Sequence, residues 1–484
     1  MADMIVGPAP APAAVAVAAT TTTAAGAGRA SGTVEDEMGE ADEVAAALLS
    51  RGAGAGVRWV RLVTSDLHGV LRAKLIAADR LGRVLRDGQP WGVRLLHVDL
   101  AEALDPDTEY DALTHGGNCR LVPDPATFRV LPWQPDTAIV LAEPRFDDGR
   151  PAPSPRTALR AALARAAALG YRVGVGSEIE FHLYRREDDA LRPVTDERAF
   201  FSARALAGAE GILAPLREGL AALGLPVSSL ENEHGAGQLE LNLGPLDGLE
   251  AIDAATLARA SIKEIADRHG YLATFIAKPA NEPETNTCGY HLHQALYDRA
   301  GDNTFWDRDA ADGVSPVLRR YVAGQLAHAP ALTACASPTI TGYKRHQPGT
   351  FAPVRASWGF DNRGALLRVM RESGPDTRVE NRLGEAAANP YLLLASQLAA
   401  GLDGLDRALD PGAPIEGDGN VDPRLPRLPR DLPEAIAALR ADDILVAGLG
   451  PDIVRAYTGA LASAWRRFQS YVTEWEIAEY REAL

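Results

Sequence analysis

Cysteine is scarce in these 484 residues: Cys119, Cys288 and Cys335 are all there are. Three is odd and far too few for a disulfide framework, so a small stapled secreted fold is excluded and a reducing, cytoplasmic setting is expected. Runs of lysine and arginine are also lacking, and the formal net charge is −16. A nucleic-acid binder needs a basic face, so no nucleic-acid partner is expected. No apolar run reaches the roughly 18 residues of a membrane span, so no membrane partner is expected either. The opening stretch MADMIVGPAPAPAAVAVAATTTTAAGAGRASG lacks the positive n-region of a signal peptide, and its prolines interrupt any apolar h-region. Residues 1–34 are expected to be a disordered Ala/Thr/Pro-rich tail, because they bury too little to offset their ordering entropy. What the chain has in quantity is apolar side chain, 46% against 24% charged, enough for a sizeable core.

The acidic stretch VEDEMGEADEVAAALLS predicts a helix ending near Ser50. Val57, Trp59, Arg61 and Val63 then lead into a turn at Asp66–Gly69 and a second apolar run, the pattern of a hairpin. The Pro-rich connector DDGRPAPSPRTAL suggests a domain boundary near residue 148, giving units over 35–147 and 148–484. Beyond it, SPRTALRAALARAAALG predicts a helix capped by Ser154. Strands are predicted at 171–184, GQLELNL, GYHLHQAL, ALLRVMR and TRVENRL, and a long apolar helix at NPYLLLASQLAAGLDGLDRAL. No internal repeat is present.

Several of those strands share a peculiarity. In GVGSEIEFHLY, Val175, Ile179, Phe181 and Leu183 form an apolar face, and Glu178, Glu180 and His182 form the other. Carboxylates two residues apart on a strand lie roughly 6.5–7 Å apart. Gln238, Glu240 and Asn242 likewise share a face opposite three leucines, with Glu233 just upstream in a Gly-containing turn. His291 and His293 flank Leu292, and Arg378, Glu380 and Arg382 oppose Val379. Singly, each is an ordinary solvated face. Together, five carboxylates and an imidazole would repel unless cations joined them, and an oxygen-rich set with one imidazole suits Mg²⁺ or Mn²⁺. A metal pair is the usual clamp for phosphoryl transfer from ATP. Arg345, Arg363, Arg368, Arg378 and Arg382 would complete a cationic wall for phosphates and a carboxylate.

The ordered set E-x-E, E-x6-E, N-x4-H-x-H, Y-K-R-x2-P-G, N-R-x4-R, R-x-E-x-R and A-N-P-Y, over residues about 122–400, resembles the glutamine synthetase superfamily. The resemblance implies an α+β chain, with a small N-terminal β-grasp domain and a catalytic domain built on a curved antiparallel sheet. It implies ATP and two or three Mg²⁺ or Mn²⁺ ions. Glu180, Glu233 and Glu240 would hold the metal near the substrate carboxylate, and Glu178, His291 and Glu380 the metal on the phosphates. His293, Arg363, Arg368 and Arg378 would serve the nucleotide and the transferring phosphate. Asn286, Arg345 and Arg382 would fix glutamate. Arg363, Glu233 and Glu240 would take direct part in catalysis. Two stacked hexameric rings, a homododecamer, are implied as well.

Two departures stand at the ammonium pocket. The family typically has P-G-Y-E-A-P after Y-K-R, but this chain reads PGTFAPV, so Phe351 occupies the place of a proton-accepting glutamate. The family's Asp-Gly-Ser-Ser loop has no clean counterpart, DGQPWGV (Asp87 to Val93) being a poor one. Ammonium without carboxylate partners is costly to desolvate, whereas an organic amine could pack on an aromatic ring. The resemblance therefore leans toward the γ-glutamyl-polyamine and γ-glutamyl-amine ligases, which join glutamate to an amine through a γ-glutamyl phosphate. A true glutamine synthetase and a catalytically silent binding or regulatory homologue are the alternatives. No tyrosine lies between Tyr391 and Tyr457, so the tyrosine adenylylation of some bacterial relatives is not expected.

Overall fold

The computed structural model describes residues 34–51, 56–103, 117–188, 190–281, 287–347, 351–371 and 374–484. The expected tail, but for Val34, and Asn286 lie outside the described residues. The first helix, Val34–Ser50, ends at the predicted residue.

The predicted hairpin forms from β1 (Trp59–Ser65) and β2 (Leu71–Ala77), paired antiparallel. Its turn is organised by Asp66, whose carboxylate accepts the backbone N–H of His68 (2.9 Å) and Val70 (3.0 Å) and the Nε of Arg72 (2.9 Å). With β3 (Gln89–Gly92), β4 (Asn118–Pro123), β5 (Arg129–Leu131) and β6 (Gln134–Arg145) it builds a six-stranded sheet, order β2-β1-β6-β4-β3, with β5 on β6. β1 and β6 run parallel, and Val60, Leu62 and Val140 pack against Leu48 of the first helix.

The second sheet has nine strands: β7 (Arg172–Glu187), β8 (Ala190–Pro193), β9 (Val227–Asn232), β10 (Gln238–Asp247), β11 (Tyr271–Thr274), β12 (Tyr290–Tyr297), β13 (Trp358–Phe360), β14 (Leu367–Met370) and β15 (Arg378–Asn381). Its main order is β13-β14-β15-β12-β7-β10-β9, with β8 and β11 attached to β7. It is a curled, largely antiparallel sheet. The departure from the antiparallel expectation is β13 and β14, which run parallel because the chain loops back through residues 361–366 before re-entering the sheet.

The apolar face of this sheet, including Val175, Ile179, Phe181, Leu239 and Leu241, is buried beneath helices. Helix Pro390–Asp406 is the central one and is buried from Pro390 to Gly404, which is why its sequence is apolar all round. Its cap residue Asn389 also joins the two sheets. Its Oδ1 accepts from the backbone of Tyr391 and Leu392, while its Nδ2 donates to the carbonyls of Asp66 (2.9 Å) and Leu67 (3.1 Å) in the hairpin turn. Arg156 makes a second tie: its guanidinium bonds Asp253 twice (2.9 and 2.7 Å), Glu143 (2.5 Å) and Asp124 (2.7 Å). Among the described residues, no helix is long and apolar enough to cross a membrane.

Candidate active site

Strand pairing explains how the separate carboxylates meet. β10 lies between β9 and β7, and the register places Glu231 opposite Glu240 and Glu240 opposite Glu180, one row of three carboxylates across three strands. The next row runs Ser229, Asn242, Glu178, His291. A third runs Arg368, Glu380, His293 across β14, β15 and β12. Because side chains on neighbouring strands at one register position share a face, all three rows project to the same side of the sheet.

Charge crowding there is severe. Burial, then the charges of Glu180 and Glu231, push the Glu233 carboxyl up to about 8. Burial, then Glu178 and Glu180, push Glu240 up to about 9. Burial acts the same way on Glu178, but hydrogen bonds from His291 and His293 outweigh it and hold Glu178 well below the usual carboxylate range. Glu380 is fully buried, yet the Arg382 guanidinium and the two imidazoles hold it low. Arg368 and Arg382 each donate to a different oxygen of Glu380.

Both histidines reach the carboxylates. His293 Nε2 lies 2.7 Å from Glu178 Oε1, and its Nδ1 accepts from Arg378 Nε at 3.3 Å, which places the imidazole proton on Nε2. His291 Nδ1 lies 3.4 Å from Glu178 and 3.5 Å from Glu380. Ligand atoms of Glu178, His293 and Glu380 all fall within 4.8 Å of one another. His293, expected from the resemblance to serve the nucleotide, therefore stands nearer to Glu178 (2.7 Å) than His291 does (3.4 Å). The donor set is one that suits divalent cations: carboxylate oxygens that repel, two of them titrating near 8 and 9, with imidazole nitrogen beside them.

Two cavities meet at this face. The larger, about 590 Å³, is lined by Glu178, Glu180, Glu233, Glu240, His291, Arg345, Arg363, Arg382 and Phe351. The smaller, about 380 Å³, contains His293 and Arg378 and shares Glu178, Ser228 and Asn242 with the first. Of the other residues singled out in the sequence, Glu380 and Arg368 sit in the floor between strands, and Asn286 is outside the described residues. Arg345 ends the short helix Ile340–Arg345 and donates to the carbonyls of Leu383 (3.2 Å) and Arg382 (3.3 Å). Burial lowers its guanidinium from the ordinary arginine value. The weak counterpart of the aspartate loop forms the end of a helix and edge strand β3, and none of its residues lines either cavity.

Two wall residues were missed by sequence reasoning: Phe200 and Phe201, in the connection before helix Ala203–Ala222. The available signal was an adjacent aromatic pair in an otherwise polar loop. Gln238, noticed only for its face, is the keystone of the larger cavity. Its Nε2 donates to Glu180 Oε2 and to the Thr287 carbonyl (2.8 Å each), and its Oε1 accepts from the Gly235 N–H (2.9 Å).

The two-sheet fold, the carboxylate rows and the twin cavities fit an ATP-dependent ligase of the C–N-bond-forming class, whose family uses divalent metals. The chain belongs to the glutamine synthetase family: residues 152–480 match the glutamine synthetase catalytic domain and residues 47–152 its N-terminal domain. It is 33% identical over 466 residues to γ-glutamylanilide synthase of an Acinetobacter species, covering 88% of this chain and 93% of that one. It is 32% identical to the glutamine synthetase of Halobacterium salinarum, covering 88% and 94%. The solved ADP complex of GmaS superposes with a TM-score of 0.80 at 31% identity, covering 90% of this chain and 99% of that one.

Proposed function

We propose that the chain is a glutamate–amine ligase whose acceptor is an organic amine rather than ammonium. A γ-carboxylate oxygen of glutamate attacks the γ-phosphorus of ATP, the bond to the ADP oxygen breaks, and ADP leaves. The amine nitrogen then attacks the acyl carbon, the carbon–oxygen bond to phosphate breaks, and the nitrogen gives up one proton.

In this reading Arg345, Arg382 and Asn286 hold glutamate, and His293, Arg363, Arg368 and Arg378 face the nucleotide and the transferring phosphate. Glu180, Glu233 and Glu240 would hold one divalent cation and Glu178, His291 and Glu380 another. Bound there, such ions neutralise phosphate charge and polarise the reacting oxygens. The meeting of two cavities at Glu178 and Asn242 supports the arrangement, since glutamate and nucleotide must approach one point from separate sides.

The observation that carries the choice of acceptor is Phe351. Phe351 is 59% exposed and lines the carboxylate cavity, and in the sequence it holds the place of the family's proton-accepting glutamate. The likeness to an anilide-forming relative points the same way. Assembly as two stacked hexameric rings belongs to the same reading, and exposed Tyr471, Val472, Trp475, Ile477 and Tyr480 near the C-terminus support burial against another copy.

The test is glutamate-dependent ADP release with ammonium and a panel of amines, in wild type and Phe351→Glu. The expected outcome is a higher kcat/KM for the best amine than for ammonium, with that ratio falling in the variant. Ammonium preferred over every amine would leave the plain glutamine synthetase reading in its place.

A further inference from the structure

The same cavity carries information about which amine. Its mouth holds three large apolar side chains that are substantially exposed: Phe200 at 46%, Phe201 at 63% and Phe351 at 59%. Rings left open to water beside a carboxylate cluster are an unusual expense of surface and mark a binding face.

The loop bearing two of them is built rather than loose. Phe201 has φ 55°, a left-handed conformation that a non-glycine residue adopts only under strain. The surroundings hold it there. Phe201 N–H donates to the Asn232 carbonyl (3.2 Å), and Asn232 Nδ2 donates to the Ala199 carbonyl (2.6 Å). Asn232 is the residue before Glu233, so the aromatic loop is fastened directly to the strand end that carries a site carboxylate. The Phe200 ring lies tilted against His234, the residue after Glu233, with centroids 5.1 Å apart. Ser202 caps the next helix through the Ala205 N–H and bonds Glu197, which fixes the loop's far end.

Among the described lining residues, one carboxylate lies outside the proposed metal ligands: Glu231, bonded to Ser229 Oγ at 2.7 Å. Glu231 is placed to receive a cationic head, and the three exposed rings offer the rest of the molecule an apolar face, which favours a body without further charge.

We infer that Phe200, Phe201 and Phe351 form the acceptor subsite and select a monoamine with an apolar or aromatic body, its head toward Glu231 and its body against the three rings. This inference rests on the ligase reading above and narrows it. Ring-against-ring contact and apolar burial are each worth enough to change selectivity by roughly 10-fold per aromatic removed.

The experiment measures kcat/KM for benzylamine, aniline, isopropylamine, putrescine, spermidine and ammonium by glutamate-dependent ADP release. It does so in the full-length assembled protein and in Phe200→Ala and Phe201→Gly; glycine tolerates the left-handed backbone, so the second variant removes the ring without adding strain. The expected result is that an apolar monoamine is the best acceptor, and that its kcat/KM relative to ammonium falls roughly 10-fold in each variant. Putrescine or spermidine as best acceptor, or equal losses for benzylamine and ammonium, overturns the inference while leaving a ligase. Variants that lose assembly by light scattering yet keep wild-type amine selectivity overturn it too, because the rings would then serve a subunit contact. No turnover with any nucleophile overturns the ligase reading itself, and the inference with it.

Discussion

Replacing Gln238 with leucine removes an amide that is fully committed. The side chain is buried, its Oε1 accepts from Gly235, and its Nε2 donates to Glu180 and to Thr287. Leucine fills similar space with no polar atom. A bond to a charged acceptor contributes about 1.5–3 kcal/mol and each backbone bond about 1 kcal/mol, so the three together approach about 4 kcal/mol. Not all of that is lost, because Glu180 is only half-buried and water can replace the amide there. A destabilisation of about 2–3 kcal/mol is therefore expected for the metal-free protein.

The functional loss is separable from it. On the proposed assignment Glu180 freed from its anchor would bind a cation less tightly, since outer partners of a metal ligand are worth roughly 10–100-fold in affinity. The Mg²⁺ concentration giving half-maximal activity should rise by about that factor, and KM for glutamate should rise with it because the Thr287 backbone loses the same anchor. Steady-state ADP release titrated separately in Mg²⁺ and glutamate reads both, and thermal unfolding reads the stability. If the folded variant keeps both constants within about twofold of wild type, Gln238 does not hold Glu180 for the metal, and the reasoning fails.

Three further outcomes follow from other contacts. Glu178→Ala and His291→Ala should each abolish ATP-dependent ligation; wild-type turnover with unchanged metal content by elemental analysis would dismiss the site assignment. His328 sits between Asp442 (2.6 Å) and Asp403 (3.0 Å), and although burial opposes its charge, these carboxylates raise it above the ordinary histidine value. Its contribution to stability is therefore complete below the unfolded value near 6.5 and is lost as pH rises through the higher folded one. Melting temperature should fall across that interval in wild type and flatten there in His328→Leu, and identical pH profiles would refute the assignment. Finally, the segment between Tyr391 and Tyr457 should carry no nucleotide on tyrosine, since it holds none, and an added nucleotide mass on its peptides would contradict this.

How much was legible before the structure depended on the range of the cause. The sidedness of Glu178 and Glu180 follows from the two-residue period of a strand, a purely local rule, and it held. So did the cap at Ser154, which is set within three residues. Register is not local. Whether Glu240 or Asn242 stands beside Glu180 depends on how β10 slides on β7, and a one-residue slip would have turned the whole row into the apolar core. The parallel entry of β13 beside β14 and the grip of Arg156 on Asp253, 97 residues away, left no local trace either. Phe200 and Phe201 went unread because their position comes from Asn232, on a strand that follows them by a whole helix.

That last contact bears on how one scaffold could serve different acceptors. The carboxylate rows are written into strands whose opposite faces carry Ile179, Phe181, Leu239 and Leu241, all buried, so moving a ligand means disturbing the core. The core thereby pins the crowded face, which on charge alone would be unfavourable, and local rules are broken where chemistry requires it. The wall proposed for the amine is held differently. Phe200 and Phe201 stand in a loop fastened by Asn232, the His234 ring and the Ser202 cap, and Phe351 stands in a loop after a six-residue helix. Their substitution changes cavity lining and little else. Selection for a new amine can therefore act on these loops while the phosphoryl-transfer face stays fixed. On this argument an ammonium-using protein and an amine-using one can share the sheet and differ at a handful of exposed rings.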